Sequence, residues 1–303
     1  MLLNDDMPVL LFFIDGLGVG ARGPSNPLDN LAGAEPLAVF QGEEPEIIFD
    51  GVLAPTDPRL GVGGRPQSAS GQTTILTGVN APARLGYHKQ GFPNEPLREI
   101  LRERSIFLQL KRAGIGPNTF ANAYTKRFFE ERPRWVSATT VAVEAAGESF
   151  RTLEDLRRGQ AVYQDFTNGL LIERGEDVAP RTAEEAAQIL ARLAAAHRFA
   201  LYEYFITDKI GHAQDAEAAR RVIPNLARMI RTLLSLLDLQ RTTVILTSDH
   251  GNVEDLSTRN HTLNLVPTLA WGARRDLVAR RVRTLADITP TILEILREEA
   301  DKH

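Results

Sequence analysis

The sequence predicts an α/β fold, a mostly parallel sheet sandwiched by helices with a small α+β cap inserted into it. Three observations carry this expectation. Short apolar runs rich in β-branched and aromatic residues alternate with stretches of helical periodicity. Acidic or histidine side chains follow directly after three of those runs, where open α/β sheets gather their sites. The middle of the chain differs, being sparser in apolar residues and interrupted at Gly147-Glu148, at Gly159 and at the turn-like Arg174-Gly175-Glu176-Asp177.

Taken in order, Val9-Leu10-Leu11-Phe12-Phe13-Ile14 reads as a buried strand ending at Asp15. The stretch from Gln72 to Gly78 reads as a short helix closed by glycine, with Ser68 near its amino end and Ser70 available as its cap. Residues 123–180 are expected to form the cap, and 1–122 with 181–303 the core. Ala183 to Ala196 is a helix leading into a strand at Leu201 to Ile206. Leu226, Met229, Ile230, Leu233, Leu234 and Leu237 then recur at helical spacing, the buried stripe of a crossover helix. Thr242 to Thr247 and Pro267 to Trp271 read as further strands. Thr289-Pro290 reads as a cap and first helical position opening a helix through Glu298. No internal repeat or low-complexity tract is evident.

A length of 303 residues suffices for a large core with a smaller appended unit, and 43% hydrophobic residues is ordinary for a globular protein. A net charge of -4 supplies no field for nucleic acid, and none is expected as a partner. With no cysteine, disulfides, thiolate metal sites and a cysteine nucleophile are excluded. Met1 to Pro8 lacks a basic leader and the apolar run after it is too short to span a bilayer. The expectation is a cytoplasmic protein without membrane partner, of undetermined oligomeric state.

Asp15, Ser68, Asp208, His212, Asp249, His250 and His261 together read as one two-metal site. In Asp208-Lys209-Ile210-Gly211-His212 an acid and an imidazole four apart can converge on one ion. Asp249-His250 adds an adjacent pair, and His261 a third imidazole. Carboxylate with neutral imidazole suits Zn²⁺ or Mn²⁺. Three of the six histidines fall beside these aspartates, whereas His88, His197 and His303 have no such neighbours. Gly18-Val19-Gly20-Ala21-Arg22-Gly23 matches a dinucleotide-binding pattern, but Pro24 and Pro27 follow where that motif needs a helix.

These segments resemble the metal-dependent alkaline phosphatase superfamily, in particular its branch with cofactor-independent phosphoglycerate mutase and phosphopentomutase. The matching stretches are Phe13-Ile14-Asp15-Gly16-Leu17-Gly18, the Ser68-x-x-Gly71 turn, Asp208-x-x-Gly211-His212, Asp249-His250-Gly251-Asn252-Val253-Glu254 and His261-Thr262-x-x-x-Val266-Pro267. The resemblance implies an alkaline phosphatase-like fold and two divalent ions, Mn²⁺ or Zn²⁺. It implies that Asp15, Ser68, Asp249 and His250 serve one ion, and that Asp208, His212 and His261 serve the other. It also implies Ser68 as a nucleophile that becomes phosphoserine.

Two departures stand out. The mutase has histidine where this chain has Gln72, and its inserted domain, which holds the substrate-gripping arginines, is much larger than residues 123–180. Gln72, Asn122, Lys126 and Arg127 are the candidates to reach substrate. The expected activity is a two-metal phosphohydrolase acting on a small phosphorylated or related ester, with a phosphosugar or phosphoglycerate mutase as the alternative. A non-catalytic metal-binding domain is disfavoured by the serine, and a dinucleotide-dependent dehydrogenase by the histidines.

Overall fold

Strand β1 (Val9–Ile14) is buried along its whole length because it lies inside a six-stranded sheet covered on both faces. The computed structural model describes residues 7–300, so Met1 to Asp6 of the stretch read above as lacking a leader lie outside the described residues. After β1 come β2 (Val52–Thr56), α1 (Ser68–Thr77), α2 (Ala81–Leu85), α3 (Glu95–Arg104), α4 (Ile106–Arg112) and β3 (Asn118–Phe120). The middle holds β4 (Ala123–Tyr124), α5 (Lys126–Glu130), α6 (Ala138–Ala146), β5 (Arg151–Thr152), α7 (Leu153–Arg157) and α8 (Gly169–Glu173). Then follow α9 (Ala183–Ala196), β6 (Phe199–Tyr204), α10 (Ile206–Ala213), α11 (Ala216–Leu236), β7 (Thr243–Thr247), β8 (Val266–Gly272), α12 (Arg275–Arg281) and α13 (Ile288–Ala300).

The sheet order is β2-β8-β7-β1-β6-β3. β1 pairs in parallel with β6 and β7, and β3 in parallel with β6. β8 runs antiparallel to both β7 and β2, so the sheet is mostly parallel, as expected. Alternation along β1 divides the core: Leu10, Phe12 and Ile14 join the layer of α9 and α11, while Val9, Leu11 and Phe13 join that of α4, α6 and α13. The parallel order brings the carboxyl ends of β6, β1 and β7 side by side. No helix among the described residues is long and apolar enough to cross a membrane.

Several local expectations shift. β6 ends at Tyr204 and α10 opens at Ile206, because Phe205 and Ile206 continue the apolar run after the chain has left the sheet. Ser70 does not cap α1: Gln67 precedes the helix, and the Ser70 hydroxyl donates to Gln67 O and accepts from Lys89 N. Gly78 does close that helix, at φ +73°. Thr289 lies inside α13 and donates to Ile75 O; the entry to this helix is a 3₁₀ turn, Leu285–Asp287, capped reciprocally by Thr284 and Asp287. The stretch 123–180 is not uniform, since Ala138, Val141, Ala142, Val143 and Ala146 of α6 are buried in the main core. Leu153, Leu156, Ala161, Tyr163 and Leu171 instead form a small cluster of their own with Ala123.

Candidate metal centre

Each ligand candidate sits where a strand or helix end aims it. Asp15 follows β1, and its backbone N–H donates to Tyr204 O at 2.9 Å, which carries the ladder one residue past the strand. Thr207 Oγ1 donates to Asp15 O at 2.5 Å and ties that turn to α10. Asp249 and His250 follow β7 and are fully buried. Asp208 and His212 stand one turn apart on α10, so the D-x-x-G-H segment is a helix rather than a turn, and i,i+4 spacing puts both side chains on one face. Gly211 permits this packing, because a Cβ there would collide with the Asn252 side chain; one on Gly16, at φ +72°, would meet Asp208. Ser68 is the first residue of α1.

Around His250 Nε2 gather Ser68 Oγ at 2.9 Å, Asp15 Oδ1 at 3.3 Å and Asp249 Oδ2 at 3.5 Å. Asp208 places Oδ2 3.3 Å from His212 Nε2 and Oδ1 3.5 Å from His261 Nε2. The His250 and His261 rings stack, with centroids 3.5 Å apart and planes 13° apart, so the two groups form one continuous cluster. Asp208 reaches both groups, since its carboxylate also lies within 4.8 Å of ligand atoms of Asp15 and His250.

The cluster fits divalent cations on three grounds. His212 Nδ1 lies 2.7 Å from Arg259 O and His261 Nδ1 2.8 Å from Pro66 O. Carbonyls only accept, so both protons sit on Nδ1 and two Nε2 lone pairs face each other at 3.2 Å. Asp15 Oδ1 is buried with no hydrogen-bond donor. Burial, followed by repulsion from neighbouring carboxylates, holds Asp15 and Asp249 well above the ordinary carboxylate range. A cation among these groups removes all three penalties. Burial, and after it His261, keeps His250 neutral, the form that ligates metals.

A second layer fixes the ligands. Gln72 Nε2 donates to Asp15 Oδ2 at 3.3 Å and to Asp249 Oδ2 at 3.1 Å, so it bridges two acids. Asn252 Nδ2 donates to Asp208 Oδ1 at 2.7 Å. Buried Glu254 accepts from Gly18 N, Asn252 N and Thr262 Oγ1 at 2.9, 2.7 and 2.6 Å, which cross-links three ligand segments. That contact is the use of Gly18 in the glycine-rich stretch, after which no helix follows.

The substrate candidates fare differently. Gln72 lies among the carboxylates. Asn122 borders an adjoining cleft, but its side chain is engaged with the Glu203 backbone, donating to O at 2.8 Å and accepting from N at 2.9 Å. Lys126 and Arg127 do not line the cleft, although their neighbours Thr125 and Phe128 do: at 82% and 80% exposed they form i,i+4 pairs with Glu130 and Glu131 on the outer side of α5 and its carboxyl end. The cations bordering the cleft are Lys209 and Arg174, which the sequence reading passed over. Lys209 was visible inside the D-x-x-G-H segment; Arg174 had no signal beyond its turn.

Residues 174–300 match the family model described as Metalloenzyme superfamily. Over that stretch the chain is similar to the superfamily. The fold is alkaline phosphatase-like: the chain superposes on alkaline phosphatase from the Antarctic bacterium TAB5 with TM-score 0.52 and 14% identity, over 96% of this chain and 98% of the other. PH0037 protein from Pyrococcus horikoshii gives 0.56 and 17%, over 96% and 97%. In sequence, the chain is 36% identical over 107 residues to a 2,3-bisphosphoglycerate-independent phosphoglycerate mutase of Picosynechococcus sp., which is 31% of this chain and 20% of the relative. A mutase of the same description from Synechococcus sp. is 35% identical over 133 residues, 39% of this chain and 24% of the relative. The matches thus span about a fifth to a quarter of these relatives' length.

Proposed function

We propose that the chain is a metal-dependent phosphohydrolase that works through a phosphoserine at Ser68. The observation that carries this reading is the position of Ser68 Oγ, at the first residue of a ten-residue helix and 2.9 Å from His250 Nε2 within the acid and histidine cluster. The positive end of α1 favours negative charge on that oxygen. Two divalent ions, Mn²⁺ or Zn²⁺, held by Asp15, Ser68, Asp249 and His250 and by Asp208, His212 and His261, would lower the serine pKa and neutralise charge on the phosphoryl group and leaving oxygen. Ser68 Oγ attacks phosphorus, the bond from phosphorus to the substrate alcohol breaks, and the alcohol leaves with a proton. Water then attacks phosphorus, the bond to Oγ breaks, Ser68 recovers its proton and inorganic phosphate leaves. Gln72, Asn252 and Glu254 keep the ligands in place through both steps.

Hydrolysis is favoured over mutase chemistry by the cleft. Return transfer must retain and reorient the dephosphorylated alcohol while water is excluded. Here the rim residues Phe92 and Trp135 stand 49% and 52% exposed, and Lys126 and Arg127 point to solvent. In this reading residues 123–180 act as a small cap on the core formed by 1–122 and 181–303, with α6 anchoring it. Incubation of the Mn²⁺- or Zn²⁺-loaded protein with a phosphomonoester panel, followed by ³¹P NMR, tests the proposal. Inorganic phosphate is expected; a shifted monoester without free phosphate would establish the mutase instead.

A further inference from the structure

Beside the metal centre lies a cleft of about 450 Å³ that shares Asp15 and Asp208 with it. Its lining is of two kinds. Lys209 and Arg174 border it together with the acids, and Phe92, Phe120, Tyr124, Phe128, Trp135 and Phe205 supply its aromatic part. Tyr124 is the hub, with ring centroids 4.4 Å from Phe128, 4.7 Å from Phe150 and 6.1 Å from Phe120. Its hydroxyl is engaged with Thr140 Oγ1 at 2.8 Å, so the ring and not the hydroxyl is its contribution to the cleft. Trp135 is flanked by the guanidinium groups of Arg134 and Arg98, 5.1 and 5.8 Å from its ring. An aromatic patch left half exposed at the mouth of a polar site marks a ligand surface.

We propose that this cleft is the leaving-group subsite, and that the substrates are phosphate esters of alcohols bearing an apolar, planar group such as an aryl ring. The inference rests on the phosphohydrolase reading, with the phosphoryl group at Ser68 and the alcohol portion lying along Tyr124, Phe128 and Trp135. Lys209 and Arg174 accompany the anionic end.

The test uses the full, metal-loaded chain and two unactivated esters, ethyl phosphate and 2-phenylethyl phosphate, whose alcohols leave with similar intrinsic difficulty. The kcat/KM for the phenylethyl ester should exceed that for ethyl phosphate by roughly 50-fold, which corresponds to about 100 Å² of apolar surface withdrawn from water. That ratio should fall roughly tenfold in Trp135→Ala and in Phe92→Ala, and stay unchanged in Phe49→Ala, which alters an exposed aromatic outside the cleft. A second readout needs no turnover. The alcohol 2-(4-nitrophenyl)ethanol should quench tryptophan fluorescence saturably in the wild type and not in Trp135→Phe, where only buried Trp271 emits. Saturable quenching without hydrolysis of either ester would sink the phosphohydrolase reading and uphold the subsite. Absence of saturable quenching, or an ester ratio near one, would overturn the subsite itself.

Discussion

At the scale of single residues, two serines two positions apart have opposite duties. Ser68 presents its oxygen to His250, whereas Ser70 is fully buried and spends its hydroxyl on Gln67 and Lys89. Ser68→Ala should therefore lose turnover by several orders of magnitude while retaining bound metal. Ser70→Ala should keep turnover and lose about 1 kcal/mol of stability, since one buried hydrogen-bonded hydroxyl is removed. Steady-state kinetics, elemental analysis and urea melts on the two variants check both halves. Gln72 is the other informative residue. Its amide holds Asp15 and Asp249 at fixed separation, so Gln72→Leu should weaken metal binding by roughly 10- to 100-fold, the usual cost of losing an outer hydrogen bond to a ligand. Calorimetric titration with Mn²⁺ would show it; unchanged affinity would mean that the bridge is incidental.

At the scale of elements, β6 carries an acid that the site does not need as a ligand. Glu203 points from a strand buried along its whole length, its carboxyl bonded by Thr139, and burial raises its pKa to about 8 from the ordinary 4.5. The folded chain therefore keeps a proton that the unfolded chain releases. The resulting stabilisation is full below pH 4.5 and is lost as pH rises towards 8. Glu203→Gln is neutral throughout and should flatten this decline, gaining a few kcal/mol relative to wild type by about pH 8, because each tenfold change in a protonation equilibrium is worth about 1.4 kcal/mol. Denaturant melts of both proteins at mildly acidic and mildly alkaline pH measure it, and parallel slopes would contradict it. α10 shows the same dependence on context. Its sequence is too short to hold a helix alone, yet Thr207 pins its first turn to Asp15 and Asn252 pins Asp208, so packing rather than propensity sets the i,i+4 pair.

At the scale of the whole molecule, ligands from two parallel strand ends, two helices and the loop before β8 converge across about 250 residues of sequence. Cations should stabilise such an assembly globally, because the unfolded chain cannot reproduce the cluster. Saturation with Mn²⁺ or Zn²⁺ should give two ions per chain by elemental analysis, and at a hundredfold excess over Kd each should add about 2.7 kcal/mol to unfolding stability. Finding one ion, or no rise in Tm on loading, would remove the two-metal description.

Most candidate ligands were legible in the sequence because they stand just after a buried strand or within a helical turn, His261 in the loop before β8 being the exception. Local hydrophobic pattern therefore located Asp15, one residue past β1, and Asp249 and His250, two and three past β7. The same held for β1, α9 and the stripe of α11, whose periodicities are strong and uninterrupted. Pattern failed where the chain leaves its element but stays apolar, as at Phe205 and Ile206, and in residues 123–180, where the buried alanines and valines of α6 read as part of the cap. What only the tertiary structure decided is which side chains share space without sharing sequence. Gln72 meets Asp249, Glu254 meets Gly18, and Phe92, Trp135 and Phe205 line one cleft from segments tens of residues apart. Hydrophobic periodicity records whether a residue is buried, not against what. The bridge at Gln72, the turning of Lys126 and Arg127 to solvent and the aromatic wall are decided by contacts that form only when the sheet has assembled.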